Sequence, residues 1–271
     1  MSKIIFTDTQ GVPEEFRPKP ATASVPEWYK RLESYMSGAK KPDGQGGTSP
    51  TIKRCMPVFD AIVGGYILYT YVDVYVSQKE VAYGDKAHFE ETGEDHLLTP
   101  EQIKEKGLPL TSPYYEWPMF NPIQFHPHVQ APELPGKGNK HETVSYPKWI
   151  NPWSITTPKG YSVLFTQPMH RESPFTILDG IVDTDSYNAP VNFPFVLNDW
   201  GFEGLIPAGT PMAQVIPFKR ESWQMEIGKQ EEFEAQQKTT IHLRTSFFDS
   251  YKNKFRAPKE YKSGIIKASF P

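Results

Sequence analysis

Apolar residues that recur at every second position, or run unbroken for a few residues, mark strands, and this chain carries them in two blocks. The first opens at about Thr51 and is densest in Gly65-Tyr66-Ile67-Leu68-Tyr69-Thr70-Tyr71-Val72-Asp73-Val74-Tyr75-Val76-Ser77, a strand by its β-branched and aromatic content. The second lies between Trp149 and Phe218, where strands are predicted over residues 153–157, 161–166, 175–182, 191–197 and 212–218. Pro158-Lys159-Gly160, Asn198-Asp199 and Pro207-Ala208-Gly209 supply turn chemistry between them. Short strands at near-regular spacing predict a mainly β fold, a barrel or sandwich.

Helical signals are few. Pro26 fits the first turn of a short helix running towards Glu33, Thr99-Pro100-Glu101-Gln102 forms a capping-box arrangement closed by Gly107, and Lys229 to Lys238 is a helix by propensity. Residues 1–50 are predicted to form an N-terminal arm, extended at first and ending in a glycine-rich linker from Ser37. Residues 51–228 are then the β-rich core domain, carrying a loop-rich, proline-dense insertion at about 86–147. Residues 229–271 make a C-terminal helix and basic tail.

Composition sharpens this plan. The 27 prolines and 14% aromatic residues among 271 suit strands joined by turns better than a helical bundle. A chain of this length buries roughly three quarters of its unfolded surface, so it needs no covalent staple. Cys55 is the single cysteine, which excludes internal disulfides and predicts a reducing compartment. The apolar run from Cys55 to Val76 is broken by Asp60, two glycines and Asp73, so no membrane partner is expected, and the N-terminus lacks the features of a signal peptide. An intracellular protein is therefore expected. A formal charge of -3 argues against general nucleic-acid binding. The tail is the exception: from Tyr251 onward six basic residues stand against Glu260.

Within residues 158–218, three segments resemble one family. Gly180-Ile181-Val182-Asp183-Thr184-Asp185-Ser186-Tyr187 resembles the dUTPase pattern Gly-Val-Ile-Asp-x-Asp-Tyr with one residue inserted, and Gly209-Thr210-Pro211-Met212-Ala213-Gln214-Val215-Ile216 resembles its Gly-Asp-Arg-Ile-Ala-Gln-Leu-Ile. Pro158 to Pro168 falls where those enzymes have the strand leading to Pro-Arg-Ser-Gly. This chain has Pro168-Met169-His170-Arg171-Glu172-Ser173 there, and it lacks the glycine-rich C-terminal arm. The resemblance implies a dUTPase-like β-clip core, a homo-oligomer with a trimer favoured, and a deoxynucleotide site at subunit interfaces with Mg²⁺ as cofactor. By it, Asp183 takes the place of the aspartate that activates water, Tyr187 that of the tyrosine beneath the sugar, and Gln214 falls in the phosphate-lining signature. The pattern from Thr51 to Tyr66, with Asn192-Phe193-Pro194-Phe195, also resembles proteins of tailed phages and some bacteria. The cytoplasm of a host cell or a virion is the compartment this implies.

The residues themselves leave alternatives open. Asp183 and Asp185, one residue apart on a strand, share a side as catalytic or metal-binding carboxylates do, or they end the strand and cap their own turn. His170 and Arg171 suit an anionic ligand, Arg171 as a bidentate donor, or form the exposed tip of a turn. His126, His128 and Glu133 offer two imidazoles and a carboxylate at a spacing like the first cupin motif, enough for zinc or iron, or they are solvated loop residues. Trp149, Trp153, Trp200 and Trp223 are base-stacking surfaces or core and interface anchors. Three functions follow from these readings: a nucleotide-binding protein or divergent nucleotide hydrolase, a non-enzymatic assembly protein joined through its arms, and a cupin-like metalloenzyme.

Overall fold

The computed structural model describes residues 2–36, 49–77, 82–85, 122–126, 146–199, 202, 204–245 and 251–257. The strands in chain order are β1 (Ile5–Asp8), β2 (Lys19–Pro20), β3 (Tyr35–Met36), β4 (Ser49–Pro50), β5 (Tyr66–Tyr69), β6 (Val74–Ser77), β7 (Ala82–Asp85) and β8 (Ile123–His126). They continue with β9 (Tyr146–Trp149), β10 (Trp153–Thr156), β11 (Tyr161–Thr166), β12 (Phe175–Ile177), β13 (Gly180–Val182), β14 (Phe193–Leu197), β15 (Gly204–Ile206) and β16 (Pro211–Lys219). Three α-helices are described: α1 (Glu27–Arg31), α2 (Met56–Val63) and α3 (Gln230–Thr245). The fold is mainly β, as the alternation predicts. The chain divides into two compact units, residues 1–19 with 65–219, and residues 20–64 with 220–271.

The first unit is built from sheets ordered β13-β11-β16-β5-β2, β12-β14-β9-β8 and β15-β6-β7, with β1 paired to β10. Strand β14 shows why: Phe193, Phe195 and Leu197 are buried while Pro194 and Val196 between them are half-buried, the period-two pattern of a strand with one face in the core. Beside it in the same sheet, Trp149 of β9 stacks on Phe195 at 5.1 Å between ring centroids and leans on Phe175 of β12 at the same distance. Phe165 of β11 reaches Phe193 at 5.3 Å. These rings, with Leu68, Val163, Met212 and Val215, form the core.

Two strands expected to be continuous are broken. The predicted strand from Gly65 to Ser77 is β5 and β6, which lie in different sheets, because the chain between them is pinned to the turn before β16. There Thr70 N–H donates to Thr210 O at 2.9 Å, Gly209 N–H to Thr70 O at 2.8 Å, and Ala208 N–H to the Asp73 carboxylate at 2.7 Å. Likewise 175–182 divides into β12 and β13 at Leu178-Asp179, where Leu178 N–H turns to Pro194 O and Asp179 accepts from Gln167 N–H.

The first 19 residues, expected in an arm, belong to the first unit. Strand β1 pairs antiparallel with β10, Ile5 opposite Thr156 and Asp8 opposite Trp153. The Asp8 carboxylate then accepts from the N–H groups of Gln10, Gly11 and Val12 at 2.9, 2.9 and 2.7 Å, and this turn delivers Val12 into the core.

In the second unit, Tyr29 of α1 packs with Ile62 and Val63 of α2 and stacks on Phe59 at 5.9 Å. Helix α1 starts after Pro26, as predicted. Helix α2, with Pro57 in its first turn, lies in the apolar stretch that precedes the predicted strand at Gly65, where the sequence predicts no helix. Arg256, just after a short π-helical stretch Tyr251–Phe255, grips Asp60 of α2 through Nη2 at 2.7 Å and Nε at 3.2 Å. The linker expected over 37–50 ends in strand β4, which pairs antiparallel with β3, Tyr35 opposite Pro50; residues 37–48, the helix near Thr99 and most of the insertion lie outside the described residues. Among the described residues no helix is long and apolar enough to cross a membrane.

Candidate functional site

Strand β11 organises the predicted site residues, because it is paired on both edges and its two ends receive different groups. Its N-terminal end meets the turn that follows β13. Val182 is opposite Val163, so Asp183 comes level with Ser162, whose buried Oγ–H donates to Asp183 Oδ1 at 2.6 Å. Asp183 O accepts from the N–H groups of Ser186 and Tyr187 at 3.1 and 2.9 Å, and Asp185 Oδ2 accepts from Gly160 N–H at 2.7 Å. Between the two aspartates, buried Thr184 shares a 2.7 Å hydrogen bond with Thr157. Because β13 ends at Val182, Asp183 and Asp185 lie on a turn and the strand alternation does not align them. Each carboxylate holds a neighbouring segment, Asp183 the Ser162 hydroxyl on β11 and Asp185 the Gly160 amide, while the amides of their own turn go to the Asp183 carbonyl. Tyr187 is exposed at the end of this turn.

The C-terminal end of β11 receives the other set. Gln214 on β16 is opposite Thr166, fully buried, and its Oε1 accepts from Met169 N–H at 2.9 Å. Gln167 braces the same loop, donating its N–H to Asp179 and accepting from Ile177 N–H at 2.9 Å through Oε1. His170 is exposed on the turn with a left-handed φ of 57°, a conformation unusual for a residue with a β-carbon. Half-buried Arg171 donates from Nη1 to Met169 O at 3.1 Å. Burial lowers the pKa of its guanidinium, an effect the neighbouring Tyr69 opposes.

The predicted residues thus form two groups. Ser162 and Thr166 mark their positions, four residues apart on one strand or about 13 Å at the usual rise. Asp183, Asp185 and Tyr187 sit at one end, and Gln214, His170 and Arg171 at the other. His126 is on β8, while His128 and Glu133 lie outside the described residues. Among the described residues no three His, Cys, Asp or Glu side chains come together as a metal ion requires. Trp149 and Trp153 are buried in the core, and Trp200 lies outside the described residues.

A different feature stands out at the surface. After β16 ends at Lys219, residues 220–229 adopt neither helix nor strand nor turn, and every one is exposed. Trp223, Met225 and Ile227 are 87%, 87% and 83% exposed, and Phe233 and Ile241 on α3 are exposed as well. Single exposed apolar residues are ordinary, but a run of them marks an interaction surface. Ending the core at residue 228 hides this segment; the signal that reveals it is the alternation of Trp223, Met225 and Ile227 with Ser222, Gln224 and Glu226. The sequence matches no protein-family model, and no curated protein matches it significantly.

Proposed function

We propose that the protein is a non-enzymatic assembly protein, a β-rich scaffold of the dUTPase-like kind that joins other copies of itself through its exposed C-terminal segment. The observation that carries this reading is the alternating apolar set Trp223, Met225 and Ile227, more than four fifths exposed in the single chain. Leaving such side chains in water forfeits the burial that drives association. The hydrogen bonds of Asp183, Asp185 and Gln214 add support, since each already serves a turn or loop of the scaffold. The resemblance to phage proteins favours a virion-associated role, and the resemblance to dUTPases favours a closed homo-oligomer.

Sedimentation velocity of the full chain over a wide concentration range tests this. A dimer or larger species is expected, with a shift to slower sedimentation in Trp223→Ser/Met225→Ser/Ile227→Ser at unchanged melting temperature. A monomer at every concentration overturns the reading. A melting temperature raised selectively by deoxynucleotides and Mg²⁺, and lost in Asp183→Ala, would restore the nucleotide reading in its stead.

A further inference from the structure

We infer that residues 221–229 are half of an intermolecular β-ribbon, pairing antiparallel with the same segment of a second copy about a twofold axis at Met225. The inference rests on the assembly reading and names its partner and its register.

The segment reads Glu221-Ser222-Trp223-Gln224-Met225-Glu226-Ile227-Gly228-Lys229. Its odd positions are Glu, Trp, Met, Ile and Lys, and its even positions are Ser, Gln, Glu and Gly. Strict alternation of this kind encodes a strand with one apolar face, because successive side chains in extended backbone point to opposite sides. In the single chain no strand forms there, and the face that should be covered is the most exposed apolar surface among the described residues. Sequence and structure agree if the missing strand comes from outside.

Self-pairing is favoured because the odd face is complementary to its own reverse. Antiparallel pairing centred on Met225 sets Trp223 opposite Ile227 of the second copy and Met225 opposite Met225. At both ends it sets Glu221 opposite Lys229. An aromatic ring beside a β-branched side chain and an opposite-charge pair are both favourable cross-strand neighbours. On the even face Gln224 meets Glu226, amide against carboxylate, and Ser222 meets Gly228. In a parallel in-register ribbon, Glu221, Glu226 and Lys229 would each face their own copies, which like charge opposes. Moving the antiparallel register by two residues would set Glu221 against Ile227 or Trp223 against Lys229 and lose both charged pairs. The pairing is isologous, so it closes at two chains and does not propagate into a fibre. Three apolar side chains per chain, on the order of 150–250 Å² for a residue as large as Trp223, supply a substantial share of the roughly 800 Å² that each partner buries in a stable interface.

Cysteine cross-linking tests the register in a Cys55→Ser background that sediments like the parent. Under mild oxidation, Met225→Cys should give a disulfide-linked dimer. Trp223→Cys should give none, since its two copies would lie about 13 Å apart along the ribbon, beyond the roughly 7 Å limit between the Cα atoms of a disulfide. Glu221→Lys should weaken the dimer at least tenfold, and Glu221→Lys/Lys229→Glu should restore it. Cross-linking at both positions would overturn the antiparallel register. A dimer that persists without cross-linking at Met225→Cys would overturn the ribbon and leave the assembly reading standing. A wild-type monomer would overturn both.

Discussion

A β-carbon at Gly65 would sit 2.0 Å from the Val215 carbonyl oxygen, at a backbone φ of +71° that side chains disfavour. Neither term can relax cheaply, because Val215 belongs to the central strand β16. Gly65→Ala should cost about 3 kcal/mol or more from overpacking and left-handed strain combined, measured by denaturant unfolding. The Asp60–Arg256 pair makes a different demand. Both side chains are largely buried, 9% and 19% exposed, and Arg256 meets both carboxylate oxygens. Removing one charge takes from the other a partner held through both carboxylate oxygens, so Asp60→Ala should cost about 1–3 kcal/mol, and Asp60→Ala/Arg256→Met should recover part of the loss. Tyr71 ties stability to pH. Burial, helped by the nearby Asp8 carboxylate, pushes its hydroxyl up to about 12 while it donates to Gln10 Oε1 at 2.7 Å. A group whose folded pKa is raised stabilises fully below its unfolded value and loses that contribution as pH climbs through the folded one. Stability should therefore fall between pH 10 and 12, and Tyr71→Phe should flatten that fall in unfolding midpoints taken across the window.

Two elements hang on single side chains. The loop between β11 and β12 is bracketed by Gln214 and Gln167, so Gln214→Leu, which deletes the acceptor for Met169 N–H, should cost about 1–3 kcal/mol. The turn after β13 gives a sharper comparison. Asp183→Ala removes the partner of Ser162 and should cost about 1–2 kcal/mol, whereas Asp183→Asn keeps an acceptor oxygen and should unfold near the parent midpoint. Equal losses in the two variants would contradict a role for Asp183 as the acceptor for Ser162. Elements that pack by alternation were legible in the sequence: β10, β11, β14 and β16 fall within a residue or two of the predicted ranges. Those decided by long-range partners were not. Strand β1 is defined by β10, about 150 positions along the chain, and its polar, proline-rich surroundings resemble an arm. Helix α2 lies in a nearly unbroken apolar run, where periodicity cannot separate helix from strand. The candidate site suffered similarly. Asp183 and Asp185 read as a same-side pair only while the strand is assumed to continue to 185, and it stops at Val182, before either of them. The alternation of Trp223, Met225 and Ile227 was visible throughout, but its meaning depends on exposure, which only the structure supplies.

For the molecule as a whole, the scaffold is closed inward while one segment is left open. The first unit buries Trp149, Phe165, Phe175, Phe193 and Phe195 in a continuous core, and its strands and loops are held by Asp8, Asp183, Asp185 and Gln214. Against that thrift, three apolar side chains more than four fifths exposed between Glu221 and Lys229 make sense as half of an interface. The most direct measurement is hydrogen exchange of the backbone amides of residues 221–229 at low and high protein concentration. Paired with a second copy, every second amide of this segment enters a hydrogen-bonded ladder, so protection of that alternate set should rise with concentration while the amides of β11 and β16 stay protected throughout. Fast exchange of residues 221–229 at every concentration would contradict the account.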